Sequence, residues 1–193
     1  MSKLISILGI DPGINNTGLS FNKYDPDTGI LHVNNYTVLQ ANDLAKKENR
    51  ADMKSFGSVF SLCLYERELR RIITDFQPDF VACEDAFYNP RTPNAFVSLK
   101  LCIGTIQRVL YTDFKQPLYR IAPKLAKAAI GNACAGKVAV QEAIQHLPDI
   151  QIKQTKSRPL ENMVEHEADS IAIAYAFTKH FLPDILRSVN NKK

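Results

Sequence analysis

Three carboxylates stand where apolar runs stop, and this constrains the fold more than any other feature of the chain. Asp11 closes ISILGID, Glu84 closes the run in DFVACED, and Asp169 opens ADSIAIAYAF, with His166 one helical turn before it. An ionised carboxylate beside an apolar core is costly unless it is paired or coordinates a cation. Three such acids meeting at one strand edge form a donor set for divalent metal ions.

The runs themselves read as elements. Leu4 to Ile10, ended by Asp11-Pro12-Gly13, has the pattern of a central strand buried on both faces. Thr17 to Lys23 and Ile30 to Leu39 flank the turn Asp25-Pro26-Asp27-Thr28-Gly29, giving three antiparallel strands in succession. Ala41 to Asp52 lacks periodicity and reads as a loop or a frayed helix start. From Met53 to Phe76 apolar residues recur at helical spacing. Pro78 ends that helix, and Asp79 to Cys83 is a second buried strand, parallel to the first because a helix connects them. A helix over Asn94–Tyr111, a strand at Pro117–Ile121, helices from Pro123 and over Lys137–His146, a polar basic connection over 148–159 and a closing helix over Glu165–Leu186 complete the pattern. The expectation is one α/β domain over 1–193, with a mixed five-stranded sheet and helices on both faces. Residues 190–193 read as a frayed basic tail.

Charge is uneven. Between Lys115 and Arg158 eight basic side chains face two acids, an excess larger than the +4 of the whole chain. That distribution suits a polyanionic partner, and equally a solvated surface. The four cysteines form no C-x-x-C pair and read as reduced, structural thiols. The apolar run at the N-terminus is too short for a membrane span and has no cleavage site after it, so an intracellular, cytoplasmic protein without membrane contact is expected.

Each chemical feature has a plain structural counterpart. Asp-Pro-Gly is an ordinary turn, and Gly13 to Gly18 read as a tight loop that a nucleotide-dependent phosphotransferase would use for phosphate, although the spacing fits no phosphate-binding fingerprint. Glu84 is either a ligand at the end of a parallel strand or a surface acid. Phe87 and Tyr88, beside Asn89-Pro90-Arg91, suit stacking on unpaired bases or packing in the core. Glu161, Glu165 and Glu167 are best read as acids complementing a helix dipole. His146 and His180 read as surface residues, and His32 alternates with apolar strand positions.

Four segments taken together, ILGIDPGINNTG, QPDFVACEDAFYNPRTPNAFVSLKLCIG, YRIAPKLAKAAIGNACAGKVAVQEAI and EHEADSIAIAYA, resemble the RuvC family of Holliday-junction resolvases, within the RNase H-like superfamily. The resemblance implies an RNase H-like fold and a structure-selective endonuclease that nicks four-way DNA junctions in symmetric pairs. It also implies a homodimer and two Mg²⁺ ions per site, with Mn²⁺ as a substitute. By the same resemblance Asp11, Glu84, His166 and Asp169 fall on the catalytic metal-binding positions, Lys137 on a phosphate contact and Phe87 on a base-stacking aromatic. Lys124 and Lys127 flank Ala126, which falls on another family lysine. A bacterial or a bacteriophage source fits, as does a debranching or RNA·DNA-hybrid nuclease of the same superfamily. Host cytoplasm is the expected location for a viral protein.

Overall fold

The computed structural model describes residues 2–47, 57–131, 137–153 and 160–190. Three antiparallel strands, β1 (Ile5–Asp11), β2 (Asn16–Asp25) and β3 (Ile30–Gln40), open the chain as expected. Gly29 takes a left-handed conformation (φ 74°) to close the turn between β2 and β3, and its amide donates to the Asp25 carbonyl at 2.8 Å. The strand β4 (Phe80–Glu84) lies parallel to β1, and β5 (Leu118–Ile121) lies parallel to β4.

The sheet has six strands, in the order β5-β4-β1-β2-β3-β6, where five were expected. The sixth, β6 (Ile150–Ile152), pairs parallel to Leu31–Val33 within the stretch read as a connection. Three residues are too few to display alternation, so its pairing with β3 defines it. Of the two readings of the stretch from Ala41, loop or helix start, the second holds over the short helix α1 (Ala41–Lys47), seated by buried Ala41 and Leu44. The following α2 (Gly57–Phe76) fits the long amphipathic helix, and the expected start at Met53 lies outside the described residues. Gln77, at φ 49°, and then Pro78 end α2.

Between β4 and β5 runs α3 (Pro93–Val109), which widens into a π-helical turn at Leu110–Phe114. Arg70 of α2 holds that turn through Asp113 at 2.6 Å. Then come α4 (Pro123–Ala129), α5 (Lys137–His146), a single 3₁₀ turn (Leu160–Asn162), α6 (Glu165–His180) and α7 (Leu182–Asn190). The expected single closing helix is therefore two, interrupted at Phe181 two residues before Pro183. The tail beyond Asn190 lies outside the described residues. Among the described residues no helix is long and apolar enough to cross a membrane.

Two layers of helix sandwich the sheet. On one face Ile7, Leu31, Val33 and Ile121 pack with α4, α5, α6 and α7; on the other Leu8, Ile10, Leu19, Val81 and Cys83 pack with α2 and α3. Alternate residues of β1 thus serve opposite cores, as in a strand buried on both sides. Cys83 and Cys102 are buried free thiols and Cys63 is an exposed one. Cys134 lies outside the described residues.

Candidate active site

Close backbone approach at two glycines, added to the packing of its side chains, sets α6 on the sheet. A Cβ placed on Gly9 of β1 would stand 2.2 Å from the Ser170 carbonyl oxygen, and one on Gly18 of β2 would stand 1.9 Å from that of His166. Only glycine permits this approach. Gly18 therefore belongs to a strand under a helix, and the tight loop weighed from Gly13 to Gly18 as an alternative phosphate site is a shorter turn, since β2 starts at Asn16. The reward is position: the first turn of α6 lies directly over the end of β1.

There the acids meet. Ile10 and Cys83 are register partners in β1 and β4 and face the α2 side, so Asp11 and Glu84, the next residues in each strand, project together toward α6. His166 Nδ1 lies 2.6 Å from Asp11 Oδ2, and Asp169 follows one turn along. Glu167, between them in sequence and fully buried, accepts a hydrogen bond from the Val164 amide and caps the helix, a structural role beyond the dipole complement read from the sequence.

The electrostatics are those of crowded anions. Burial, then the charges of Asp11 and Asp169, push the Glu84 carboxyl up to about 8, against the milder opposing pull of Lys127. Asp169 rises to about 6, from burial and then the charges of Asp11 and Glu165. Burial also raises Asp11, against its hydrogen bond to His166. His166 in turn is raised above the ordinary imidazole value, chiefly by that bond. Sequence alone suggests a neutral imidazole near pH 7; its contact with Asp11 instead holds it toward the protonated form.

Burial leads the three carboxyl shifts and neighbouring negative charge adds to them. Three carboxylates and one imidazole suit a hard or borderline divalent cation, which would return the acids to their ionised forms. Among the described residues no three His, Cys, Asp or Glu side chains form a ready ligand cage, and Asp11 is occupied by His166. The donor chemistry fits a metal, and binding it requires proton release from the acids and from His166.

Around this cluster the other sequence-selected residues separate. Phe87 is 64% exposed on the loop between β4 and α3, which removes the core-packing alternative; Tyr88 is also exposed and meets Phe96 edge to face. Lys127 of α4 faces the acids closely enough to lower both Glu84 and Asp169, whereas Lys124 is exposed and Ala126, between them, is buried in the core. In this segment it is the Lys127 side chain, and not that of Ala126, that faces the acids. Lys137 opens α5, and its side chain lies outside the described residues. His146 and His180 are exposed and take no part. Two further residues stand behind the site without a sequence signal: Thr17, whose hydroxyl donates to the Gly13 carbonyl at 2.8 Å, and Tyr65 of α2 beyond it.

A family model, crossover junction endodeoxyribonuclease RuvC, matches residues 7–177. The chain belongs to the RuvC family. A RuvC crossover junction endodeoxyribonuclease of Alkaliphilus metalliredigens is 25% identical over 177 residues, covering 91% of this chain and 94% of that protein. The one of Caldicellulosiruptor saccharolyticus is 30% identical over 145 residues, 73% of this chain and 77% of its own length. Thermus thermophilus RuvC, solved in complex with a Holliday junction substrate, superposes with a TM-score of 0.64 at 17% identity, over 92% of this chain and 97% of that one. The fold is thus the RNase H-like one of RuvC, and the enzyme is a metal-dependent endonuclease that resolves Holliday junctions.

Proposed function

We propose that the chain resolves four-way junctions as a homodimer, by paired symmetric nicks leaving 5′-phosphate ends, with Asp11, Glu84, His166 and Asp169 holding two Mg²⁺ ions in each site. The observation that carries this reading is the gathering of three carboxylates, each raised first by burial, at the adjoining ends of β1 and β4 and the start of α6. Such a cluster has no structural use and weakens the fold unless cations enter it. When bound, Mg²⁺, for which Mn²⁺ substitutes, supplies a water of lowered pKa and neutralises charge on the leaving 3′-oxygen.

The protein's own groups do the rest. Lys127, facing the acids, meets a phosphate of the strand to be cut, and Lys124 and Lys137 supply further contacts to the DNA backbone, as the family resemblance implies. Phe87, held out in solvent on the loop that follows Glu84, stacks on a base unpaired at the junction centre. A junction with two-fold symmetry needs two equivalent sites, hence a C2 dimer. Val97, Leu101 and Tyr111, exposed by 56%, 49% and 72%, lie along α3 and its π-helical turn, with Gly104 opening space between them, which supports this helix as part of the dimer interface.

The decisive experiment incubates labelled mobile and immobile junctions with the protein in Mg²⁺ or in EDTA and maps the nicks at nucleotide resolution. Symmetric, metal-dependent nicks with ligatable 5′-phosphates are expected. Cleavage that persists in EDTA, or equal cutting of forks and RNA·DNA hybrids, overturns the reading. A protein that sediments as a monomer at micromolar concentration removes the dimer.

A further inference from the structure

We infer that Lys100 of α3 is a positioning residue for Phe87, its one ammonium group holding the loop on both sides of that ring. The inference rests on the assignment of Phe87 to base stacking at the junction centre.

The loop from Asp85 to Thr92 has firm ends. At its start the Asp85 amide donates to the Ile121 carbonyl at 2.8 Å, which extends the pairing of β4 with β5. At its end the Thr92 amide donates to the Asn89 carbonyl at 3.0 Å and the Arg91 amide to the Asn89 side chain at 3.0 Å, a closed turn from which Pro93 opens α3. Between these ends the chain carries Phe87, 64% exposed, so burial does not fix where its ring points.

Lys100 supplies the hold. Its ammonium lies 3.5 Å from Asp85 Oδ1, two residues before Phe87, and 5.4 Å from the centre of the Phe96 ring, one turn back along α3. The same Asp85 oxygen accepts a hydrogen bond from the Ala86 amide at 2.9 Å, so the carboxylate fixes the backbone immediately before the aromatic. Phe96 in turn meets Tyr88, the residue after Phe87, edge to face at 5.4 Å. Both neighbours of Phe87 are thus tied to one cation, Ala86 by way of Asp85 and Tyr88 by way of Phe96. Arg120 of β5, 3.7 Å from the same Asp85 oxygen, adds a second positive group, so the carboxylate is shared between the sheet and α3. Lys100 and Asp85 are both partly exposed, and a pair of that kind contributes little to global stability; its effect is local order in a short loop. A ring ordered before DNA arrives loses less freedom on stacking, and binding tightens by that difference.

The chain has no tryptophan, so Phe87→Trp places a single fluorescent reporter on the loop. In that background Lys100→Met, which keeps the stem and removes the charge, should lower the anisotropy of the tryptophan in the free protein. Lys100→Arg, whose guanidinium can both pair with a carboxylate and lie over a ring, should keep it. With Phe87 in place, Lys100→Met should weaken junction binding by about threefold, and in the Phe87→Ala background it should weaken binding no further, since both changes act through one ring. Unaltered anisotropy overturns the inference. So does a loss of affinity that persists without Phe87, which makes Lys100 a direct contact to DNA, and so does a loosened loop that binds as tightly as before. If a junction does not quench the tryptophan of Phe87→Trp, the stacking role of Phe87 falls, while its anisotropy in the free protein still decides whether Lys100 holds the loop.

Discussion

The strand β4 has an acid at either end, and the two could hardly differ more. Asp79, just before the strand, accepts a hydrogen bond from the Ser6 amide at 2.8 Å, returns one from its own amide to the Ser6 carbonyl at 2.9 Å, and has Lys3 at 3.5 Å. It is a rivet between β1 and β4. Glu84, at the far end, has no such hydrogen bonds among the described residues, and burial first, then the charges of Asp11 and Asp169, drive its carboxyl up to about 8. An acid satisfied by neighbours contributes to folding, whereas one surrounded by like charge is held ready for a cation. The polarity of a parallel strand decides which is which, because the C-terminal edge is where such sheets open toward ligands.

The widest test of that contrast removes charge from the crowded end. Asp11→Asn should cost about a thousandfold or more in cleavage while junction affinity holds or improves, since negative charge leaves a polyanion site. Gel-shift and single-turnover assays on one preparation check it, and retained cleavage would refute the site. Next in size is Gly18→Ala, whose methyl would meet the His166 carbonyl and push the start of α6 off β2. A loss of roughly a hundredfold is expected, with a lowered melting temperature.

The sharpest comparison sets the two ends of β4 against each other by thermal melts in EDTA. Glu84 has a folded-state pKa raised from 4.5 to about 8. Between those values the folded protein keeps a proton that the unfolded chain has released, so stability falls as pH rises through the window. Glu84→Gln should therefore raise the melting temperature at pH 8, by roughly 5 °C, and change it little at pH 5. Asp79→Ala should lower it by roughly 3–6 °C at both pH values, through loss of its hydrogen bond to β1. If both variants lose stability alike, the distinction between the ends of the strand disappears. Smallest of the four, Phe87→Ala should leave melting unaltered and weaken junction binding about tenfold, seen by fluorescence anisotropy.

Much of this was legible in the sequence for a simple reason: β1 and β4 are buried on both faces and α6 packs an unbroken small-residue stripe, so their apolar runs are conspicuous and the acids at their ends stand out. Other elements carry weaker marks. The strand β6 is defined by its partner Leu31–Val33, α1 by the two side chains it buries, and the π-helical turn by Arg70 holding Asp113 from another helix. Gly9 reads as one more residue of an apolar strand, and Gly18 equally as the end of a loop, until the carbonyls of α6 are seen above them. Tyr65 carries no mark in the sequence, because nothing local reveals that its hydroxyl reaches Leu39.

The seating of α6 on bare backbone at Gly9 and Gly18 has an outcome for heat and motion. Side chains that separate a helix from a sheet act as springs, and each rotamer they exchange moves what the helix carries. Here the main chains touch directly, so thermal agitation of the surrounding interior has little leverage on the spacing between Asp11 and Asp169, and the alignment of the acids should outlast the softening of the hydrophobic layers on either side.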